Sequence, residues 1–379
     1  MNRYAVPMHR RRFLAATAAA GVGWNLANLF GAEKTAGAAN PTLETGVSAT
    51  LRWLPFPGPQ LELRGLPWFQ ENAPELWRLP QSARSKIPAG VWNRAVAADG
   101  ARLRFTSTTS RLAIRVQTTP NQAKPCFIDA YSDTEYAGSA RVLGAQPAEF
   151  MLCERQDRGR KNITAYLPNN HALRVLAVGI DADAEVQPPP AFAARAPVVC
   201  YGSSVLQGTG AAHPAKTYPA AMARRLNLDF VNLGFGGAGK AEPAVVALVN
   251  QLDASCFIFD LGKSYGNQEK EPYARMLATI RAAHPTVPIL CVTPIYSSNE
   301  AIDPAYLEKS VRLRNLMREA AVERRQAGDP FTFVVEGLEL FGPADRKLLR
   351  DPQHPNDEGN ELIAERLAPI VAKMVWAKK

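Results

Sequence analysis

The chain has 379 residues, 46% of them hydrophobic, and a formal net charge of +9. That length accommodates two packed domains and an additional segment. Five cations and one carboxylate fall within the first 40 residues, so the remainder carries +5, scattered without a long Lys/Arg run; the pattern speaks against nucleic-acid binding and describes a solvated basic surface.

In chain order, Arg10-Arg11-Arg12-Phe13-Leu14 has the twin-arginine pattern. A weakly apolar, Ala- and Gly-rich stretch runs from Ala15 to Phe30, and Ala36-Gly37-Ala38 offers small residues for cleavage before Ala39. Residues 1–38 therefore read as an export signal for the twin-arginine machinery, placing the mature protein in the periplasm or outside the cell. No later segment approaches ~18 consecutive apolar residues, so the mature chain is not expected to span a membrane.

Residues 46–187 read as an all-β block. Strand-type runs recur as ARLRFTST, RLAIRVQTT, CFIDAYSD, AEFMLCE, KNITAYLP and LRVLAVGID, with turn signals at Asp99-Gly100 and Pro168-Asn169-Asn170. No helical period of useful length interrupts them, and a two-sheet sandwich of the jelly-roll kind is expected. Pro55 to Pro80 is rich in Pro and Trp and reads as a wrapping arm. Trp53, Trp68, Trp77 and Trp92 are expected to pack in cores or between domains, with a sugar-stacking platform as the alternative. Pro188-Pro189-Pro190 forms a stiff connector that ends the block.

Residues 195–379 change pattern. Apolar strands (APVVCYG, LDFVNLGF, SCFIFDLG, VPILCVTPIY, FTFVVEG) alternate with helical stretches, the last running from Asp357 through Met374. Fully apolar strands separated by helices predict a parallel five-stranded sheet covered on both faces, a flavodoxin-like three-layer α/β/α sandwich. Of the five cysteines, Cys200, Cys256 and Cys291 fall inside such strands and read as buried thiols, leaving Cys126 and Cys153 as the pair available for a bridge. The sequence has no CxxC and no HExxH, and its five histidines lie far apart, so no metal or other cofactor is expected.

Ligands bind open α/β sheets at the carboxyl ends of the strands. Ser204 follows the first such strand, in Val198-Val199-Cys200-Tyr201-Gly202-Ser203-Ser204. Asn232-Leu233-Gly234-Phe235-Gly236-Gly237 and Asp260-Leu261-Gly262-Lys263-Ser264 close the next two. In Asp351-Pro352-Gln353-His354-Pro355, an Asp three residues before a His can bond one imidazole nitrogen, leaving the other to act as base on a nucleophile. His213 reads as a solvated loop residue. His171 and His284 read as surface residues, Tyr201 as a packing residue, and Lys240 with Glu242 as a helix start.

These blocks resemble the SGNH (GDSL-type) hydrolase superfamily of esterases and lipases. Tyr201-Gly202-Ser203-Ser204 is similar to its first block, with Ser203 where G-D-S has Asp; Asn232 to Gly237 is similar to the second, and Asp351 to Pro355 to the DxxHP block. Trp77-Arg78-Leu79-Pro80 and Ile128-Asp129-Ala130-Tyr131 resemble motifs of a subgroup that carries an N-terminal β-sandwich. The resemblance implies Ser204 as nucleophile, His354 as base, Asp351 as its orienting partner, and the N–H groups of Ser204 and Gly237 as oxyanion donors. The family's third block supplies an Asn side chain where this sequence has Ser264, so Ser264 or Asn267 is expected to substitute, with Lys263 as a further source of charge. The implied activity is hydrolysis of small acyl esters, O-acetyl groups on carbohydrate among them. Acyl transfer to a sugar or other alcohol with the same triad is the first alternative, and a non-catalytic glycan-binding protein with a degenerate SGNH domain is the second.

Overall fold

A computed structural model describes residues 50–118 and 125–376; the export signal read over residues 1–38 lies outside the described residues. Alternating side chains turn one face of each N-terminal strand inward, and two antiparallel sheets result. One has the order β1 (Leu51–Pro55), β9 (Leu173–Asp181), β4 (Arg111–Thr118), β7 (Ala148–Glu154). The other has the order β10 (Val186–Gln187), β3 (Arg102–Ser107), β8 (Lys161–Tyr166), β5 (Cys126–Ser132), β6 (Glu135–Val142), with β2 (Glu62–Arg64) pairing β3. Leu103, Phe105, Ile128 and Ile163 of the second sheet pack with Ile114, Val175 and Val178 of the first in one core. Strands β1, β2, β6 and β10 were not foreseen: β1 and β2 lie in a Pro- and Trp-rich context, β10 is only two residues long, and Gly138-Ser139 breaks the β-type composition of β6. Cys126 and Cys153 are not bridged.

The expectation of an all-β block needs correcting between Trp68 and Ala98. This stretch forms α1 (Phe69–Asn72), a 3-10 turn over Gln81–Lys86 and α2 (Ala89–Ala95). Helices this short carry no readable period. Leu79, Ile87, Val91, Trp92 and Ala95 leave the sandwich and pack with Val199, Tyr201, Val231 and Phe235 of the second block. Trp77 meets Trp92 edge-on at 5.6 Å between ring centroids, so these two tryptophans serve packing.

The second block is a five-stranded parallel sheet in the order β12 (Phe230–Gly234), β11 (Val198–Gly202), β13 (Cys256–Asp260), β14 (Ile289–Val292), β15 (Thr332–Val335). Side chains of β11 alternate between two cores. Val199 and Tyr201 face one, which also takes residues of α5 (Pro243–Val249), α6 (Lys270–Ala283) and α7 (Pro304–Gln326). Val198 and Cys200 face the other, with α4 (Tyr218–Leu226) and α9 (Asp357–Trp376). The short α3 (Ser204–Gln207) and α8 (Gly337–Leu340) complete the layers. This is the three-layer arrangement expected. Strand order reverses at β11, which opens a crevice beyond its carboxyl end.

Candidate active site

The turn that presents Ser204 is set by close backbone approach. At Gly202, a Cβ would stand 1.8 Å from the carbonyl oxygen of Asp260 on the neighbouring strand, so a side chain there would push β11 and β13 apart. The Ser203 N–H then donates to the Asp260 carbonyl at 2.7 Å, and Ser204 becomes the first residue of α3. Its N–H, in the first turn, has no intrahelical acceptor. Ser203, in the place of the usual Asp, is buried, and its hydroxyl has no hydrogen-bond partner among the described residues.

The structure brings Ser204, His354 and Asp351 together across 150 residues of chain. Ser204 Oγ lies 2.9 Å from His354 Nε2. His354 Nδ1 lies 2.8 Å from Asp351 Oδ2. The loop is pinned on both sides: the Arg350 N–H donates to the His354 carbonyl at 2.8 Å, and Ser298 N–H and the Ser297 hydroxyl donate to the Pro352 carbonyl at 2.9 and 2.7 Å. Burial pulls the Asp351 carboxyl upward, but hydrogen bonds from the Gln353 N–H, the His354 ring and the His354 N–H outweigh it and hold the group below its ordinary value. Asp351 is thus held as a carboxylate that orients the ring and can stabilise an imidazolium.

Gly237 and Ser264 meet at the other side of Ser204. Gly237 has φ +72°, a left-handed conformation that favours glycine. A Cβ there would meet nothing within 4 Å; in this structure the backbone dihedral, rather than close approach, calls for glycine. Its N–H donates to Ser264 Oγ at 3.1 Å, which leaves the Ser264 hydroxyl proton free to point elsewhere. The neighbouring Gly236 N–H is held by Gln207 Oε1 at 2.7 Å. Asn267, the other residue proposed for this place, is exposed and lies outside the cavity lining. Lys263 lines the cavity, but its ammonium donates to the Ile295 carbonyl at 2.6 Å and pairs with Glu300 at 3.1 Å; burial pushes it down to about 8. Burial also pushes the Asp260 carboxyl up to about 6, against a hydrogen bond from the Tyr218 hydroxyl at 2.9 Å.

The cavity that holds these groups encloses about 620 Å³. Asn93, Arg94, Ala97 and Asn170 of the N-terminal block contribute to its wall. They are fixed by an ion pair that sequence reading did not assign. Arg78 and Asp99 are fully buried, 2.9 Å apart. Arg78 donates to the carbonyls of Arg94 and Gly234 at 2.6 Å each and of Asn232 at 3.1 Å. Asp99 accepts from the Asn170 N–H at 2.7 Å and the Gln207 side chain at 3.3 Å. Burial pushes the Arg78 guanidinium down and the Asp99 carboxyl up, and each opposes the other's shift. A second missed pair is His213 with Asp129. Nδ1 of His213 lies 2.7 Å from Asp129 Oδ1, and Asp129 Oδ2 accepts the Ala215 N–H at 3.0 Å. Arg78 and Asp129 both sit in the two N-terminal motifs noted in the sequence; their partners lie far along the chain, so composition and spacing could not pair them. His171 and His284, read as surface residues, are half-buried and each bonds a backbone carbonyl; Tyr201, read as a packing residue, is buried and also bonds Glu242 at 2.5 Å, and Glu242 stands at the start of α5 with its carboxylate accepting from the Lys240 N–H at 2.9 Å.

Residues 195–372 match the model of the GDSL-like lipase/acylhydrolase family, and residues 51–186 match that of the N-terminus of SGNH-hydrolase-type esterases. The chain belongs to the SGNH, GDSL-like hydrolases. Among solved structures, this SGNH protein is similar to the salicylyl-acyltransferase SsfX3 from a tetracycline biosynthetic pathway, with 25% identity, a TM-score of 0.74, and 86% of this chain and 99% of that chain covered. It shares its fold with a protein designated a GDSL-like lipase from Bacteroides ovatus, with 23% identity, a TM-score of 0.75, and 86% and 98% of the two chains covered. It also shares its fold with a family two carbohydrate esterase from Cellvibrio japonicus, with 14% identity, a TM-score of 0.59, and 87% and 99% covered. No curated protein sequence matches it. No group of three or more His, Cys, Asp or Glu among the described residues is arranged to hold a metal ion, and no described helix is long and apolar enough to cross a membrane.

Proposed function

We propose that this SGNH protein is a serine esterase that cleaves small acyl esters, O-acetyl groups on carbohydrate in particular, through an acyl-enzyme on Ser204. The observation that carries the reading is the 2.9 Å contact between Ser204 Oγ and His354 Nε2, with Asp351 on the opposite ring nitrogen. His354 takes the Ser204 proton as Oγ adds to the ester carbonyl. The proton passes to the departing alcohol oxygen as the carbon–oxygen bond breaks and the acyl-enzyme forms. His354 next removes a proton from water; the resulting attack releases the acid and returns the proton to Ser204. The Ser204 N–H and the Ser264 hydroxyl, the latter held by the Gly237 N–H, supply donors for the oxyanion. The triad needs no metal or cofactor, and the twin-arginine leader of residues 1–38 supports export to the periplasm or beyond.

A fluorophosphonate probe tests the nucleophile. Labelling of the wild type and its loss in Ser204→Ala, together with release of acetate from a sugar acetate by the wild type alone, is the expected result. Labelling that survives Ser204→Ala would overturn the assignment. Acyl transfer is the second reading, favoured by the likeness to the salicylyl-acyltransferase. It predicts that added sugar or alcohol acceptors divert the acyl group from water, which product analysis detects.

A further inference from the structure

The wall that the N-terminal block gives to the Ser204 cavity is polar and cationic. Asn93 and Arg94 line it from the end of α2, and Asn170 lines it from the loop after β8. Arg94 is exposed, and among the described residues its guanidinium has no ion pair and no hydrogen bond. The other charged groups of the wall are engaged. Lys263 is held by Glu300 and the Ile295 carbonyl, Asp260 by the Tyr218 hydroxyl, and His354 by Asp351 and Ser204. Arg94 is therefore the charge of the described lining that stands open to a ligand.

The backbone that carries it is fixed beside the cavity. The Arg94 carbonyl accepts from Arg78, which also holds the Gly234 carbonyl, two residues before Gly236. Asp99, the partner of Arg78, holds the Asn170 N–H and the Gln207 side chain that anchors Gly236. One buried ion pair thus sets both the cationic rim and the backbone beside Ser204. A guanidinium offers paired, coplanar N–H donors that match a carboxylate, and side-chain amides suit hydroxyl groups.

We infer that Arg94, with the side-chain amides of Asn93 and Asn170, forms a subsite for a carboxylate carried by the substrate, so that the ester cleaved at Ser204 sits on a sugar acid. The inference rests on Ser204 being the acyl-accepting nucleophile. The ester group reaches Ser204 while the carboxylate of the same molecule pairs with Arg94, and the neutral form of that molecule loses the pairing.

The full chain is given two matched substrates, an O-acetylated methyl uronoside and its uncharged methyl ester, and the ratio of their kcat/KM is measured at constant ionic strength. The wild type is expected to prefer the uronate by about tenfold, the size of one charge-assisted contact. Arg94→Gln is expected to bring the ratio near one, through KM rather than kcat, and Arg94→Glu to invert it. Because each ratio is taken within a single variant, differences in folding or gross activity cancel. A second readout needs no turnover: free uronate is expected to slow fluorophosphonate labelling of Ser204 in the wild type more than the neutral sugar does, and equally little in Arg94→Gln. A wild-type ratio of one, or a preference that survives in both variants, overturns the subsite while leaving the esterase intact. No cleavage of any ester, with no labelling at Ser204, overturns the esterase reading itself. Protection by uronate at other labelled residues only would overturn the subsite too.

Discussion

At the scale of single residues, the oxyanion donor proposed at Ser264 separates this chain from the pattern its blocks resemble. Ser264 takes the place where the family supplies an Asn side chain, and it does so paired with the Gly237 N–H. A hydroxyl that accepts from a backbone N–H is polarised to donate its own proton, and removing an oxyanion donor typically costs ~2.7–4 kcal/mol of transition-state stabilisation. Ser264→Ala is therefore expected to lower kcat by about 10²-fold on a short-chain ester, with KM held within a few-fold. Asn267→Ala is expected to match the wild type, since the residue is exposed and outside the cavity. Steady-state kinetics on both variants reads the outcome, and an inactive Asn267→Ala beside an unaffected Ser264→Ala would reverse the assignment. The choice between the two could not be made from spacing alone. The 3-10 turn over Gly262–Tyr265 turns Ser264 inward, and Gly266 at φ +72° carries the chain away before Asn267.

At the scale of elements, the loop between α3 and α4 ties the sandwich to the segment that carries His354. The Ala212 N–H donates to Asp357 at 2.7 Å, three residues after His354, while His213 reaches Asp129 on β5 and its ring lies 4.7 Å from that of Phe127. The hydrogen bond to Asp129 raises the His213 pKa above its ordinary 6.5; burial opposes the rise, the charges of Asp129 and Asp357 add to it, and Lys216 detracts from it. A histidine whose folded-state pKa is raised stabilises the fold fully below the unfolded value and loses that contribution as pH rises through the folded value. The melting temperature is accordingly expected to fall as pH rises from about 6 to about 9, and His213→Asn is expected to flatten that slope. Thermal unfolding across this range checks it; an equal slope in the variant would show that the pair is not its source. The solvated-loop reading of His213 failed because its partner is a buried carboxylate 84 residues earlier, on β5 of the sandwich. By contrast, the five parallel strands, their helices and the Ser204–Asp351–His354 set were legible. Fully apolar strands, helical periods and motif spacing are local signals, and each of the three site residues lies in a block that carries its own turn.

At the scale of the whole molecule, the division at the proline run describes the order of the chain better than its packing. Helix α2 and the turn before it belong to the core of the parallel sheet, and the Arg78–Asp99 pair joins four carbonyls, one backbone N–H and the Gln207 side chain from both blocks. Breaking one partner of a buried ion pair leaves the other charge uncompensated, at a cost of about 3–5 kcal/mol. Asp99→Asn is expected to lose stability on that order and also to lower kcat at temperatures where it remains folded, because Gln207 no longer holds Gly236 in place. Chemical denaturation and single-turnover kinetics together check this. Full stability with full activity would show that the pair is dispensable.

The packing of Leu79, Val91 and Trp92 against Tyr201 and Phe235 bears on how such enzymes are recombined. A graft of the α/β block onto another sandwich, with its seam at Pro188-Pro189-Pro190, would strip apolar cover from the sheet and take Arg78 away from the carbonyls of Asn232 and Gly234. The transferable unit begins upstream of Trp77, inside the block that looks like an accessory. A recipient sandwich would have to supply that insertion as a wedge of the same shape, so the choice of partner is constrained by side chains that never touch the substrate.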